Sequence, residues 1–321
     1  MEKKFNNIII LIITIIFTGF TSCISSQSPL LVKGTGEVKD KSYDVSGFDA
    51  IEVSGGFDVD LIQGNSEGVV LSAQENLFEH ITVKVEAGTL KIYTERNIIQ
   101  TKGMKAKISL KSIQKLRVSG GGDVIASQGL DVPNLNLEIS GGGDLKTNLK
   151  TNNMECRISG GGDVEINGSM KDYNMNITGG GDLNSNVVTE KINCSMTGGG
   201  DISLKSTGRT TGADISISGG GDLTLDIDAG RINCTVSGGG DATLAGKADM
   251  FEISVNGGGD VHAGNLVTKT TNFKASGGSD VRVNASSDIT GYISGGGQVY
   301  YSGNPASVNI DAKGGSEVHK E

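Results

Sequence analysis

Hydrophobic and polar residues alternate in short segments that recur along most of the chain. Counted back from a recurrent Asp, the positions seven and five residues earlier are apolar, as at Ile215 and Ile217, and the residue between them is polar, as at Ser216. Directly after the Asp an apolar residue follows, and another comes two positions later, as at Leu223 and Leu225. Alternation with a period of two predicts short strands with one buried face.

A glycine-rich motif separates the two strands of each unit. Close variants of Ser-Gly-Gly-Gly-Asp occur ten times, and the last position of the motif recurs every 18 to 21 residues from Asp123 onward. Glycine adopts positive φ without a Cβ clash and lets neighbouring backbones approach closely, so the motif is interpreted as a sharp corner. The Ser or Thr and the Asp are expected to bond to turn amides. The last position is occupied by Asp58, Asp123, Asp144, Asp163, Asp182, Asp201, Asp222, Asp241, Asp260 and Asp280, and Gln298 and Glu317 continue the same phase.

The fixed period of about 19 residues indicates stacked, nearly identical units. One unit cannot bury its apolar face alone, whereas units stacked about 4.8 Å apart align equivalent positions into columns. The sequence therefore predicts an all-β fold, a parallel β-helix or β-solenoid with one coil per repeat. The handedness rule for parallel crossovers favours a right-handed coil.

The repeat is regular over residues 111–321 and less regular over residues 37–110. The first of these ranges is predicted to form the repeating coils with a C-terminal cap, and the second to form an irregular N-terminal β region and cap. Strands within the N-terminal region are predicted at Asp58–Ile62, Gly68–Ser72, Ile81–Val85, Leu90–Tyr93 and Met104–Leu110.

The first 22 residues are interpreted as a lipoprotein signal peptide. Lys3 and Lys4 precede an apolar run from Ile8 to Phe20, which is too short to span a bilayer comfortably. The run ends in small residues before Cys23, which resembles a bacterial lipobox, so Cys23 is predicted to carry lipid. An ordinary signal peptide in which the Cys occurs by chance remains the alternative. Residues 23–36 are predicted to be a flexible tether, and the protein an outer-membrane lipoprotein on the periplasmic face or the cell surface.

Composition narrows the class of protein further. The chain has 321 residues with 50 Gly, 3 Pro and no Trp, and its formal net charge is −9. Glycine without a G-X-Y period excludes collagen, and the many Val, Ile and Leu residues exclude a disordered chain. The negative charge and the absence of a basic stripe argue against a nucleic-acid partner.

Three cysteines lie in the repeat itself. Cys156, Cys194 and Cys234 each stand seven residues before a motif Asp, in the slot otherwise filled by Ile, Leu or Met. They are predicted to be buried, unreactive thiols. Neighbouring members of this set are expected two coils apart, at about 10 Å, which exceeds the reach of a disulfide.

The row of aspartates is the main candidate for metal chemistry. Carboxylates and Gly carbonyls are suitable Ca²⁺ ligands, but a single glycine-rich turn per coil cannot form the paired cage of the calcium-binding nonapeptide repeats. A structural role is therefore the first interpretation. Calcium sites are the alternative, with candidates at Asp144, Asp163, Asp182 and Asp201.

No catalytic site or cofactor is predicted. The three histidines, His80, His262 and His319, are scattered along the chain. His262 lies two residues after Asp260, where an outward, solvated position is expected. Aromatic platforms for sugar rings are scarce, which weighs against a polysaccharide-active enzyme.

The segment Phe48–Val59, followed by Gly64 and by Ile81–Ile92, resembles the opening of the head GIN domain family of auto-transporter adhesins. The motif array fits the same family, and the resemblance covers about residues 45 to 320. It implies a right-handed parallel β-helix in bacterial envelope proteins, commonly lipoproteins of Bacteroidetes. The family supplies no catalytic residues that could be carried over.

These observations together predict a non-enzymatic, lipid-anchored cell-envelope β-solenoid with an adhesive or structural scaffold role. Its expected partners are the membrane, through the lipid anchor, and envelope glycans or proteins. One alternative is a carbohydrate-binding or polysaccharide-active β-helix protein. Another is a spacer stiffened by calcium.

Overall fold

The computed structural model describes residues 31–99 and 101–321, and strands make up about 71% and helix about 2% of these residues. The strands form a β-solenoid of about 11 turns with parallel stacked coils. The predicted fold class is therefore confirmed. The helical part is a single short 3₁₀ helix, Glu75–His80, within the described residues.

The N-terminal region consists of nine short strands in the described part of the chain. They are β1 (Leu31–Lys33), β2 (Val38–Tyr43), β3 (Ala50–Ser54), β4 (Asp58–Gln63), β5 (Gly68–Gln74), β6 (Ile81–Glu86), β7 (Thr89–Thr94), β8 (Asn97–Ile99) and β9 (Lys105–Leu110). The five strands predicted from the sequence correspond to β4, β5, β6, β7 and β9 within a few residues at each end.

Strand direction in this region differs from that of the repeats. β3 pairs with β7 and β4 with β9 in parallel, but β2–β5, β5–β9 and β6–β7 are antiparallel pairs. Within the predicted tether, residues 23–36, Leu31–Lys33 form β1 and pair in parallel with β8. The antiparallel strands add hydrogen-bonded neighbours beside the first coils, where a simple solenoid end would leave an open edge.

The repeat region contains the remaining strands, of which β15 to β21 are the longest. They are β10 (Lys115–Gly120), β11 (Val124–Asp131), β12 (Asn134–Gly141), β13 (Leu145–Lys150), β14 (Asn153–Ile158), β15 (Val164–Ile177), β16 (Leu183–Met196), β17 (Ile202–Ile217), β18 (Leu223–Gly238), β19 (Ala242–Gly257), β20 (Val261–Gly277), β21 (Val281–Gly295), β22 (Gln298–Ser302), β23 (Ser307–Lys313) and β24 (Glu317–Lys320).

Each coil has two segments, and equivalent residues of successive coils are in register. The first half of β15 pairs with β13 and its second half with β14, after which β15 pairs along its length with β16. Val164 lies opposite Leu183, for example, and Ile177 lies opposite Met196. The pairing places the strands of the repeats in one continuous 22-stranded sheet, and the two segments of a coil form two sides of the solenoid. We call the side formed by the segments after the motif Asp the first sheet, and the side formed by the segments before the motif the second sheet.

The hydrophobic core fills the space between the two sheets. The alternating positions predicted to face inward are buried along the stack, from Ile51 and Val53 near one end to Val281 and Ile293 near the other. Burying each aliphatic side chain contributes about 1.5–3 kcal/mol. One interior polar pair is formed by the hydroxyl of the fully buried Tyr173, which lies 2.8 Å from Oγ of Ser185.

Aromatic and charged residues gather at the C-terminal end of the stack. The ring of Tyr300 stacks on His319 with centroids 5.1 Å apart, and the Arg282 guanidinium lies 4.7 Å from the Tyr300 centroid. Nε of Arg282 also donates to Oε1 of Glu321 at 3.1 Å. These contacts hold the Arg282 guanidinium near the C-terminal end of the stack. Arg282 lies opposite His262 of the preceding coil.

Candidate functional site

The motif aspartates form one continuous ladder along a corner of the solenoid. The backbone N–H of each motif Asp donates to Oδ1 of the Asp one coil earlier, as in Asp163 to Asp144 at 2.9 Å and Asp182 to Asp163 at 3.0 Å. Ten such bonds run from Asp58 to Gln298, at distances between 2.7 and 3.4 Å. The sequence predicted that Asp accepts turn amides; the structure shows that the amide belongs to the next coil.

The backbone carbonyl of each motif Asp makes a second hydrogen bond between adjacent coils. The N–H of Leu183, which follows Asp182, donates to the carbonyl of Asp201 at 2.9 Å, and the same pattern recurs along the stack. Because the corner interrupts the ordinary sheet ladder, the carboxylate supplies the acceptor that the amide of the next Asp would otherwise lack. The ladder therefore has a structural role.

The corner glycines are required mainly by close stacking. A Cβ on Gly179 would lie 2.2 Å from the carbonyl oxygen of Gly160, and one on Gly181 would lie 2.2 Å from that of Gly162. A Cβ on Gly180, the middle glycine, would meet nothing within 4 Å. Neither Gly179 nor Gly180 has positive φ, so the expected positive φ is not what selects glycine at these two positions.

The four calcium candidates lie in the ladder as expected, and each uses Oδ1 to accept the next coil's amide. Asp182 accepts from Asp201 at 2.8 Å and Asp201 from Asp222 at 3.0 Å, in the same way as Asp144 and Asp163. Each carboxylate keeps its second oxygen. Calcium binding at these four positions stays a prediction, which calorimetry with Ca²⁺ checks.

A polar surface on the second sheet is the feature best suited to binding. Two outward columns flank the inward column that contains the cysteines, at six and eight residues before each motif Asp. Within one coil these are Asn174 and Asn176, and in the next coil Asn193 and Ser195. We call this surface the amide face, and its full set is Asn136, Glu138, Glu155, Arg157, Asn174, Asn176, Asn193, Ser195, Asp214, Ser216, Asn233, Thr235, Glu252, Ser254, Asn272, Lys274, Thr290 and Tyr292.

Two shallow grooves lie end to end on the amide face. One of about 490 Å³ extends from Glu155 to Thr235, and the next, of about 480 Å³, extends from Asn233 to Tyr292. Both are lined by Asn233 and Thr235, so together they form one trough that runs along the stack and crosses the strands. A shallow trough suits an extended chain better than a compact small molecule, which needs a deeper cavity.

The chemistry of the trough changes along its length. Side-chain amides bond to one another between coils, as in Nδ2 of Asn193 to Oδ1 of Asn174 at 2.6 Å. Each amide has two donor hydrogens and an oxygen with two lone pairs, so groups remain free for a ligand. Charged residues interrupt the amides and hydroxyls: Arg157 pairs with Glu155 at one end, Asp214 lies near the middle, and Arg231 donates to Asn233 at 2.9 Å and to Glu252 at 2.7 Å.

The sequence identified the outward positions of the second sheet as polar but did not identify them as a site. The signal was present in part, since Asn recurs eight residues before Asp182, Asp201 and Asp241. Recognising the trough also required the coil-to-coil register, which places Asn174 opposite Asn193.

His262 lies in a different environment from the one expected. It is half-buried rather than fully solvated, and its ring approaches the carboxylates of Asp241 and Asp260. One ligand atom from each of the three residues lies within 4.8 Å of the others. Within residues 31–99 and 101–321, this is the one group of three or more His, Cys, Asp or Glu side chains with such an arrangement.

The three repeat cysteines lie in the core, as predicted. Cys156, Cys194 and Cys234 are buried and free, and the register separates successive members by two coils. Burial raises the pKa of each thiol to about 12, because the thiolate would lose its hydration. Reactive or metal-binding thiol chemistry is therefore suppressed in the folded protein.

Cys23, the predicted lipidation site, and the predicted signal peptide lie outside the described residues. Among the helices of the described part, none is long and apolar enough to cross a membrane.

A family model described as "Putative auto-transporter adhesin, head GIN domain" matches residues 47–222 and 201–305. These matches cover most of the chain. The chain belongs to this family. The head GIN family match begins just before β3 and extends through β22, so it includes the amide face and the aspartate ladder.

Several solved structures are similar to this head GIN chain at low identity. A putative adhesin of Parabacteroides distasonis is 19% identical, with 91% of this chain and 100% of that chain covered and a TM-score of 0.43. A putative lipid binding protein of the same organism is 20% identical, with 91% and 99% covered and a TM-score of 0.39. A putative adhesin of Parabacteroides merdae is 17% identical, with 91% and 99% covered and a TM-score of 0.40. No curated protein matches the chain.

Proposed function

We propose that the protein is a non-enzymatic, adhesin-like component of the cell envelope that binds extended, neutral glycan chains along its amide face. The observation that carries the proposal is the continuous trough on the second sheet, whose outward side chains are mostly amides and hydroxyls. Family membership supports the adhesive role and an envelope or surface location.

Amides and hydroxyls are suited to carbohydrate recognition because both donate and accept hydrogen bonds, as sugar hydroxyls do. Asn174, Asn193 and Asn233 repeat this chemistry along the stack at the spacing of whole or doubled coils. A linear glycan also repeats its hydroxyls, so several weak contacts can form at once. Such multivalent contacts give useful avidity without a deep pocket.

The central part of the trough favours neutral over acidic glycans. Asp214 is the one charged residue among its outward side chains from Asn174 to Thr235, and it is negative. The whole chain carries a formal net charge of −9, which repels polyanions at low ionic strength. An acidic polysaccharide is therefore the weaker ligand.

Electrophoresis of the full-length chain through gels containing neutral glucans, mannans, xylans or acidic polysaccharides tests this proposal. We expect at least one neutral polysaccharide to retard the protein. The double variant Asn174→Ala/Asn193→Ala removes two trough amides and is expected to weaken retardation by about tenfold or more in apparent affinity. The matched control is Asn184→Ala/Asn186→Ala, which removes two exposed amides on the first sheet from β16, the strand that also contains Asn193.

Equal losses in the two double variants, or no retardation by any neutral polysaccharide, would contradict binding at the amide face. An assay for reducing sugar ends after long incubation separates binding from the alternative of a polysaccharide-active enzyme. Unchanged polysaccharide is the expected result, and release of new ends would favour the enzyme.

The lipid anchor at Cys23 remains part of the proposal. Mass spectrometry of the mature N-terminus from the native membrane fraction is expected to show cleavage before Cys23 and acylation of that residue. An unmodified Cys23 would remove the anchor without affecting the proposed glycan trough. The adhesive and anchoring parts of the proposal therefore fail separately.

A further inference from the structure

The half-buried cluster of Asp241, Asp260 and His262 combines three potential metal ligands from two adjacent coils. One ligand atom of each residue lies within 4.8 Å of the other two. Asp260 and His262 stand two residues apart on the same side of β20 and its preceding corner, and Asp241 belongs to the coil before. The cluster is on the first sheet and its corner, away from the amide face.

Backbone hydrogen bonds orient both carboxylates. Oδ1 of Asp241 accepts from the amide of Asp260 at 2.8 Å, and Oδ1 of Asp260 accepts from the amide of Asp280 at 2.7 Å. The second oxygen of each carboxylate has no such role. In the part of the chain that the structure describes, no hydrogen bond or ion pair involves the His262 ring, so its nitrogens are available as well.

The neighbours of His262 leave room for an ion. In the preceding coil the position opposite His262 is Thr243, a small uncharged residue, and in the following coil it is Arg282. The Arg282 head group is engaged elsewhere, since it donates to Glu321 at 3.1 Å and lies over the ring of Tyr300. The positive charge of Arg282 is therefore partly neutralised by Glu321, which reduces its repulsion of a cation at His262.

We propose that Asp241, Asp260 and His262 bind a divalent transition-metal cation of the Zn²⁺ class. One imidazole nitrogen and two carboxylate oxygens form a mixed donor set that Zn²⁺ accepts, and water would complete the coordination. Ca²⁺ and Mg²⁺ prefer oxygen ligands in larger number, so they are the weaker ions here. A bound cation would link two coils and offset the repulsion between stacked carboxylates.

Among the coils whose motif ends in Asp, only that of Asp260 has an imidazole two residues after the Asp. Two residues after the motif Asp, the coils on one side carry Ser203, Thr224 and Thr243, and a histidine occurs in this column again only at His319, after Glu317. The aspartate ladder alone is therefore not the site, and the proposal depends on His262. This dependence allows a direct test.

Isothermal titration calorimetry with ZnCl₂ is carried out on the full-length chain after treatment with a chelator. We expect one site that involves the cluster, with a much weaker response to CaCl₂. His262→Gln and Asp260→Asn are each expected to weaken this site by about tenfold or more, which is the scale seen when groups of a metal site are removed. Asp260→Asn keeps a side-chain oxygen for the amide of Asp280, so the fold is preserved.

His319→Ala and Asp182→Asn serve as controls, and both should leave the affinity unchanged. Thr224→His provides a gain-of-site test, because it places an imidazole two residues after Asp222 and one coil from Asp201. We expect this variant to bind a second equivalent of Zn²⁺. The proposal is overturned if the wild-type chain binds no Zn²⁺, or if His262→Gln and the control variants bind equally well.

Discussion

The main-chain amide of Asp201 donates a hydrogen bond to Oδ1 of Asp182 at 2.8 Å, which connects two consecutive coils through one side chain. Replacing Asp182 with Ala leaves this amide without its acceptor, and we expect the free energy of unfolding to fall by about 1 kcal/mol. Asp182→Asn retains a side-chain oxygen, so its effect should be smaller. Urea denaturation of the two variants checks the order, and an equal loss in both would indicate that charge matters more than the acceptor.

The two glycines Gly179 and Gly180 should respond differently to the same substitution. Gly179→Ala places a Cβ 2.2 Å from the carbonyl oxygen of Gly160, so we expect a loss of about 2–3 kcal/mol as the coils separate locally. Gly180→Ala meets nothing within 4 Å and is expected to be neutral, or to stabilise by about 0.4–1 kcal/mol by restricting the unfolded chain. Thermal unfolding of both proteins gives the comparison. Equal destabilisation would disprove the stacking explanation.

The serine at position 279 stands where most coils have the third glycine of the motif. Its side chain is buried, and Oγ has no hydrogen-bond partner among the described residues. Ser279→Ala removes the unpaired hydroxyl and keeps the Cβ, so it should raise the free energy of unfolding by about 1 kcal/mol. A lower melting temperature for this variant would mean that the hydroxyl is satisfied in solution.

Thiol labelling provides a test of the interior column. Because burial raises the pKa of Cys156, Cys194 and Cys234 to about 12, we expect none of them to react with iodoacetamide in the folded protein near pH 8. All three should react after denaturation. Mass spectrometry of labelled peptides distinguishes them from Cys23, and rapid labelling of any of the three before unfolding would contradict the burial.

Glu67 should contribute to the pH dependence of stability. The N–H of Gly47 donates to its carboxylate at 3.2 Å, and Nζ of Lys111 lies at the same distance, which lowers the pKa of Glu67 below its usual 4.5. Because the folded pKa is lower than the unfolded one, Glu67 stabilises the fold above about pH 4.5, and this contribution is lost as the pH falls through the folded pKa.

Glu67→Gln is therefore expected to be less stable than the wild type at about pH 7, with a difference that shrinks at about pH 3. Urea denaturation at the two pH values measures the difference, and Glu190→Gln, at an exposed position, is the control. A difference that stays constant with pH would assign the effect of Glu67 to packing.

The repeat region was predictable because its chemistry recurs in phase. The burial of Cys156 and Cys194 could be predicted because both stand in the apolar column. The period of two determines which side chains face the core, and the distance from the motif determines the position of each residue in its coil. Five of the nine N-terminal strands in the described residues, β4, β5, β6, β7 and β9, were also located correctly. Their antiparallel pairing was not, because pairing between β2 and β5 depends on contacts that no repeat specifies.

The candidate sites depended more strongly on the three-dimensional register. Alternation alone places His262 outward, and only the alignment of coils brings it close to Asp241. The same holds for the trough, in which Asn174 and Asn193 become neighbours across coils although they are 19 residues apart in sequence. The period of the repeat predicts which residues are stacked, as it did for the cysteines, whereas the side-chain contacts between coils require the structure.

The in-register stacking of equal coils has a consequence for how such a protein changes over evolutionary time. Each internal coil contacts chiefly its two neighbours, so a duplicated or deleted unit of about 19 residues leaves the remaining interfaces intact. Every added unit would extend the molecule by about 4.8 Å. Unequal recombination between the nearly identical gene segments could thus adjust the reach of the protein in uniform increments.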